Sequence, residues 1–155
     1  MPARSTEYRA GRVVDAHPAF KGLAAGTVRA AAEASLKRLG LETIDLYWAH
    51  FDDADTPLEE TVAAYAALQR DGLVRHVAVS NHRADRIREW VRIADEQGVA
   101  RPVAIQPHYN LVHRQDVEEN IVPVAEEFGM SVVPTADEVD DLNRASAWAS
   151  ETASV

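Results

Sequence analysis

Polar residues close a series of apolar runs in this 155-residue chain. His50 ends "IDLYWAH", Ser80 and Asn81 end "VRHVAVSN", Gln106 follows "PVAI", and Thr135 follows "MSVVP". An imidazole, two hydroxyls and two carboxamides are groups that orient or protonate a polar ligand. Directly after His50, "HFDDADT" adds Asp52, Asp53 and Asp55, an oxygen and nitrogen set that invites a metal reading. No second histidine lies nearby at helical or strand spacing, as a zinc site needs. Pro57 and Leu58 fall where a calcium loop needs flexible positions and a glycine. The aspartates therefore read as an acidic turn leading into a helix, where negative charge favours the dipole. No metal site is expected.

The elements that must position these residues repeat along the chain. Gly40, Gly72, Gly98 and Gly129 each follow a helical pattern and precede a β-rich run, at spacings of 32, 26 and 31 residues. "TVRAAAEASLKRLG" places Val28, Ala32, Leu36 and Leu39 on one helical face. "TPLEE" reads as a helix start, with Thr56 as N-cap, Pro57 at the first helical position and Glu59 completing a capping box. Val62, Tyr65 and Leu68 or Gln69 run along that helix, and Ile87, Val91 and Ala94 along the next. Pro123 interrupts the last helical pattern, which predicts a short turn and a main helix from Ile121 or Val122. Strands alternating with helices at this period mean parallel βαβ units. The polar residues then lie at the C-terminal ends of parallel strands, where barrels and doubly wound sheets alike build their sites. No glycine-rich phosphate loop follows any strand, against a Rossmann domain or a P-loop.

Composition narrows the classes further. Charged residues make up 26% of the chain, its formal net charge is -9, and no Lys/Arg cluster offers a nucleic-acid footprint. With no cysteines, disulfides and thiolate chemistry are excluded. No apolar run approaches the roughly 20 residues that span a bilayer, and "MPARSTEYRAGR" has no signal-peptide core. A cytoplasmic protein without membrane or nucleic-acid partners is the expectation.

"SLKRLGLETIDLYWAH", "TPLEETVAAYAALQRDGLVRHVAVSN", "IQPHYNLVHR" and "IVPVAEEFGMSVVP" stand in an order that closely resembles the aldo-keto reductases. The resemblance runs from about Val13 to Pro134. It implies a partial (β/α)8 TIM-barrel-like α/β fold of about five parallel strands, and reduction of aldehydes or ketones with NADPH. By the same resemblance His50 matches the histidine that orients the carbonyl substrate. Ser80, Asn81 and Gln106 match the side chains that hold the nicotinamide carboxamide. The plainer readings stand beside these: a structural histidine, a strand-ending Ser-Asn pair, and a glutamine serving buried backbone groups.

The family's proton-donating tyrosine and its aspartate have no counterpart in the pattern, and Tyr8 lies too close to the next strand to stand in. "GRVVDAHPAFKG" resembles the end of the third barrel strand, with Asp15 where the family carries its lysine and Lys21 in the loop beyond. "PTADEVDDLNRASAW" resembles the helix that closes the barrel, with the eighth strand and its phosphate-gripping loop absent. The expected organisation is an irregular segment at 1–12, a partial barrel at 13–136, and a helix and tail at 137–155. The chain reads as a truncated reductase with an internal deletion, incomplete as a catalyst. A non-catalytic binding or regulatory relative is the alternative, and a metal-assisted hydrolase a more distant one. Val77, Val79, Val103 and Ile105 alternate in direction from their neighbours, so apolar surface faces the absent half, and either self-association through open sheet edges or a loosely packed monomer is expected.

Overall fold

The computed structural model describes residues 7–9, 12–14, 21–110 and 113–133. Four strands form one parallel sheet in sequence order: β3 (Ile44–Ala49), β4 (Val74–Ser80), β5 (Ala104–Gln106) and β6 (Ser131–Val132). Between them run α2 (Leu58–Arg70), α3 (Ala84–Gln97) and α4 (Val122–Phe128), and α1 (Ala25–Leu39) precedes β3. This is the α/β alternation of a partial barrel. Arg12–Val14 (β2), in the stretch read as a further barrel strand, instead pairs antiparallel with Glu7–Arg9 (β1). The described parallel strands thus number four rather than about five, and β1 falls in the segment expected to be irregular. Asp15, Thr135 and residues 137–155 lie outside the described residues.

The repeat has a common joint. At each of the four glycines φ is positive, and the next residue's N–H bonds the carbonyl five residues back: Leu41 to Leu36, Leu73 to Leu68, Val99 to Ala94 and Met130 to Ala125. That bond closes a helix and turns the chain into the next strand. Glycine at Gly40 reaches φ 68° without the Cβ clash another residue would meet.

Register decides which side chains meet the helices. Tyr47 pairs with Val77, Ala49 with Val79, and Val79 with Ile105. Val77, Val79 and Ile105 join Val62, Leu68, Ile87, Trp90 and Val91 in one buried cluster, and Tyr47 stacks on Tyr65 of α2 at 5.8 Å. Period-2 alternation sends Leu46, Trp48, Ala78 and Ala104 to the opposite face. The apolar surface on that face is carried by half-buried Leu46 and Trp48, since Ala78 and Ala104 are buried; Val77, Val79 and Ile105 point into the helix layer, and Val103 is exposed. Trp90 sits at the centre of that layer, edge-on to Tyr65 at 5.6 Å and to His82 at 5.7 Å.

Three sequence expectations need adjustment. Leu39 is 59% exposed, because α1 packs through Val28, Ala32 and Leu36, and Leu39 lies at its last turn as the chain leaves for Gly40. Helix α2 starts at Leu58, with Pro57 rather than Thr56 at the N-cap. The Thr56 hydroxyl donates to Asp53 Oδ2 at 2.6 Å, a charge-assisted bond that holds its side chain in the acidic turn. Gln69 is only half-buried and donates to the Arg75 carbonyl. The last helix does begin at Val122, preceded by a π-helical turn at Val117–Ile121. Pro123 brings no N–H to the carbonyl four residues back, and the wider turn accommodates that loss.

The packing of α1 generates a paired prediction. Leu36→Ala removes a buried side chain and lowers stability by about 2–5 kcal/mol. Leu39→Ala stays within about 0.5 kcal/mol of the parent. Urea denaturation midpoints of the two variants read the difference.

Candidate functional site at the C-terminal edge of the sheet

The sequence-predicted residues converge on one row. Ser80 pairs with Gln106 in the β4–β5 register. One step beyond the Ala49–Val79 pair, the β3–β4 register sets His50 beside Ser80. With parallel strands about 4.8 Å apart, His50, Ser80 and Gln106 span about 10 Å on the face turned away from the helices.

Asn81 ties this row together. Its backbone N–H donates to the Gln106 carbonyl at 3.1 Å, and its side-chain Nδ2 donates to the His50 carbonyl at 3.1 Å and to Ser80 Oγ at 3.0 Å. Ser80 Oγ in turn donates to the Gln106 carbonyl at 2.9 Å. Three strand ends are thereby joined through two adjacent residues. Asn81 achieves this at φ 55°, the one positive φ outside glycine among the described residues. Asparagine tolerates that region better than most residues, and its hydrogen bonds offset the remaining cost.

Polar atoms remain available along the row. Among the described residues, the Gln106 side-chain amide and Asn81 Oδ1 have no hydrogen-bond partner, and the His50 ring nitrogens have none. The His50 ring is exposed and stands edge-on to Phe51 at 4.5 Å. Partial desolvation lowers its pKa below the ordinary histidine value, so it is neutral at pH 7. A neutral imidazole there can donate to, or accept from, a ligand oxygen.

The acidic turn has other employment. Asp53 Oδ2 accepts the Leu23 N–H at 2.8 Å and the Thr56 hydroxyl, while its Oδ1 accepts the Asp55 N–H at 3.0 Å. The Thr56 hydroxyl and the Leu23 amide hold the Asp53 carboxyl below the usual range. Asp53 thus fastens the segment before α1 to the β3–α2 loop, helped by Glu60, which accepts the Ala25 N–H at 3.0 Å. Asp52 forms a two-pronged pair with Arg86 of α3 at 2.9 and 3.0 Å. Among the described residues no group of three or more His, Cys, Asp or Glu side chains could hold a metal ion.

Reading the sequence missed Arg86 and His82. His82 is buried beneath the row, its Nδ1 2.8 Å from the Ser80 carbonyl oxygen. The signal was its place directly after Ser80 and Asn81, in "SNHR".

The tyrosines with described side chains do not stand in for an acid at this edge. Tyr47 and Tyr65 face the helix layer, and burial pushes both hydroxyls above the usual phenol range. The Tyr65 hydroxyl donates to the Trp48 carbonyl. Tyr109 donates to Glu118 at 2.8 Å, and that bond also raises its pKa.

The network makes Asn81 the sensitive position. Asn81→Ala loses the side-chain bonds and keeps an unfavourable φ, for a destabilisation of about 2–4 kcal/mol. Asn81→Gly removes the strain and recovers about 1 kcal/mol of that loss. Thermal or urea unfolding of both variants orders them parent, glycine, alanine.

Comparison with known proteins agrees with this architecture. The model of the Aldo/keto reductase family matches residues 10–136. A Glycine max protein described as "Probable aldo-keto reductase 1" is 39% identical over 108 residues, covering 69% of this chain and 29% of that protein. An Oryza sativa subsp. japonica protein described as "Probable voltage-gated potassium channel subunit beta" is 32% identical over 115 residues, covering 74% of this chain and 35% of that protein. The chain spans about a third of the length of these curated relatives. A parallel sheet with its polar row at the C-terminal edge, matched over most of its length by one family, identifies the chain as a member of the aldo-keto reductase family.

Proposed function

We propose that the C-terminal edge of this sheet binds the nicotinamide end of NADPH, with an aldehyde or ketone as the substrate class. The observation that carries the reading is the row of His50, Ser80 and Gln106, drawn together by Asn81. A carboxamide brings two N–H donors and one carbonyl acceptor. Asn81 Oδ1 and the Gln106 amide offer the complementary set, and Ser80 holds Asn81 in place for it. The donor set fits the group. Bound NADPH would supply a hydride to the carbonyl carbon. His50, neutral and a short step along the same row, would orient the carbonyl oxygen by a hydrogen bond.

In this reading the chain binds without efficient turnover of its own. The family pattern for the acid tyrosine has no match in the sequence, Asp15 stands where a lysine is expected, and the described tyrosine side chains serve structural partners. General-acid catalysis is typically worth about 10²–10⁴-fold. A binding or regulatory use of the fold is the second reading, supported by 32% identity to a protein described as "Probable voltage-gated potassium channel subunit beta". No described helix is long and apolar enough to cross a membrane.

Fluorescence titration of the chain with NADPH, alongside an aldehyde-reduction assay, tests the proposal. The expected result is saturable binding, weakened about 3–10-fold by Gln106→Ala, with little or no reduction of the aldehyde. Absence of saturation, or indifference to Gln106→Ala, would count against it. Efficient turnover would overturn the claim of incompleteness. Self-association belongs to the same proposal, because β3 has one described strand neighbour and half-buried Leu46 and Trp48 lie on its face away from the helices. Sedimentation velocity is expected to show a concentration-dependent dimer; a monomer at every concentration would exclude it.

A further inference from the structure

His82 takes no part in the ligand reading above, and its surroundings are unusual. It is 3% exposed and lies against Trp90 of α3. Its Nδ1 is 2.8 Å from the Ser80 carbonyl oxygen. A carbonyl only accepts, so Nδ1 carries a proton and donates. Nε2 is buried with no hydrogen-bond partner, and Asp52 Oδ1 stands 4.0 Å from it. In the neutral ring an acceptor lone pair therefore confronts an acceptor carboxylate. A buried polar atom left in this way carries a desolvation cost that one added proton would change.

With a proton on Nε2 the ring donates on both sides, to Ser80 from Nδ1 and toward Asp52 from Nε2. Asp52 is already engaged by both prongs of Arg86, whose remaining nitrogen reaches Glu89 at 2.8 Å. The carboxylate has to divide itself between the two cations. We propose that His82 is a proton-controlled junction between the β3–α2 loop and the β4–α3 turn. Protonation at Nε2 draws Asp52, and the loop that carries it, toward the turn that holds Asn81, and loosens the Arg86 pair.

The charged groups facing the ring are Asp52 from the β3–α2 loop and Arg86 from α3, with Glu89 reaching it through Arg86; β4 presents only the Ser80 carbonyl. Burial dominates and lowers the His82 pKa, against the opposing pull of the Ser80 carbonyl and Asp52; Arg86 adds to the lowering. The folded ring thus stays neutral while the unfolded chain takes up a proton near pH 6.5. Stability falls as pH drops below that value, until the folded-state pKa is passed and the junction has closed.

Imidazole and arginine side-chain ¹⁵N spectra of the full chain, followed from pH 8 to pH 4.5, test this without any cofactor. They can fail independently of the nicotinamide reading. The proposal expects the Nδ1–H tautomer at pH 8, protonation of Nε2 with a midpoint below about 6.5, and an Arg86 Nε–H signal that moves with that same midpoint. Asp52→Asn lowers the midpoint by about one unit, since an opposite charge a few ångströms away favours the imidazolium. His82→Phe keeps an aromatic ring against Trp90 and makes the Arg86 signal invariant over this range. An Nε2–H tautomer at pH 8, an Arg86 signal that ignores the His82 midpoint, an unmoved midpoint in Asp52→Asn, or unfolding while His82 is still neutral would each overturn the proposal. If His82→Phe fails to fold, the Asp52→Asn midpoint decides.

Discussion

The structure of the candidate site depends on one constraint: parallel strands end together, and the backbone groups at their ends need partners. Inside the sheet, β4 is bonded on both sides. Beyond Ser80 the ladder stops, and Asn81 takes over. By turning to φ 55° it aims its own N–H at the Gln106 carbonyl and its side-chain amide at the His50 carbonyl, so that β3, β4 and β5 are fixed relative to one another where the strands finish. Each hydrogen bond that Asn81 makes contributes about 0.5–1.5 kcal/mol, and together they are comparable to the cost of the left-handed backbone. The hydrogen bonds Asn81 makes therefore offset the cost of its left-handed backbone.

From that constraint the rest of the edge follows. The helix layer supplies rigidity from below: Trp90 presses on Tyr65 and His82, and His82 fixes the Ser80 carbonyl. The loop after β3 supplies it from the side. Asp53 gathers Leu23, Asp55 and Thr56, while Asp52 joins Arg86, so the aspartates beside His50 organise backbone and bridge to α3. The acidic turn that resembles a ligand set is a fastening for the histidine's neighbourhood. What it leaves free is the outward row itself, with Gln106 and His50 uncommitted among the described residues.

Much of this was legible in the sequence. The glycine spacing located the helix ends, because a positive φ after a helix is a local requirement that glycine meets cheaply. The apolar runs located the strands, and the polar residues ending them marked the sheet edge proposed as the site. Legibility ended where partners are distant in sequence. Nothing local says that Thr56 would prefer Asp53 to the helix start it precedes, or that Leu39 lies past the buried stripe of α1. Arg86 and His82 were missed for the same reason. Their roles come from Asp52, which is 34 residues from Arg86, and from a turn whose geometry only the folded sheet defines. The resemblance places a barrel strand around Val13 and Val14, yet Arg12–Val14 pairs antiparallel with Glu7–Arg9, a choice set by hairpin pairing rather than by apolar content.

If Asn81 locks the ends of three strands into a preformed edge, hydrogen exchange at its backbone amide reports it most directly, because that N–H is donated to Gln106 across the end of the sheet. The expected result is protection comparable to Val79, inside β4, with both amides exchanging only when the sheet opens. Exchange of the Asn81 amide at the rate of an unstructured loop, with Val79 still protected, would contradict the lock.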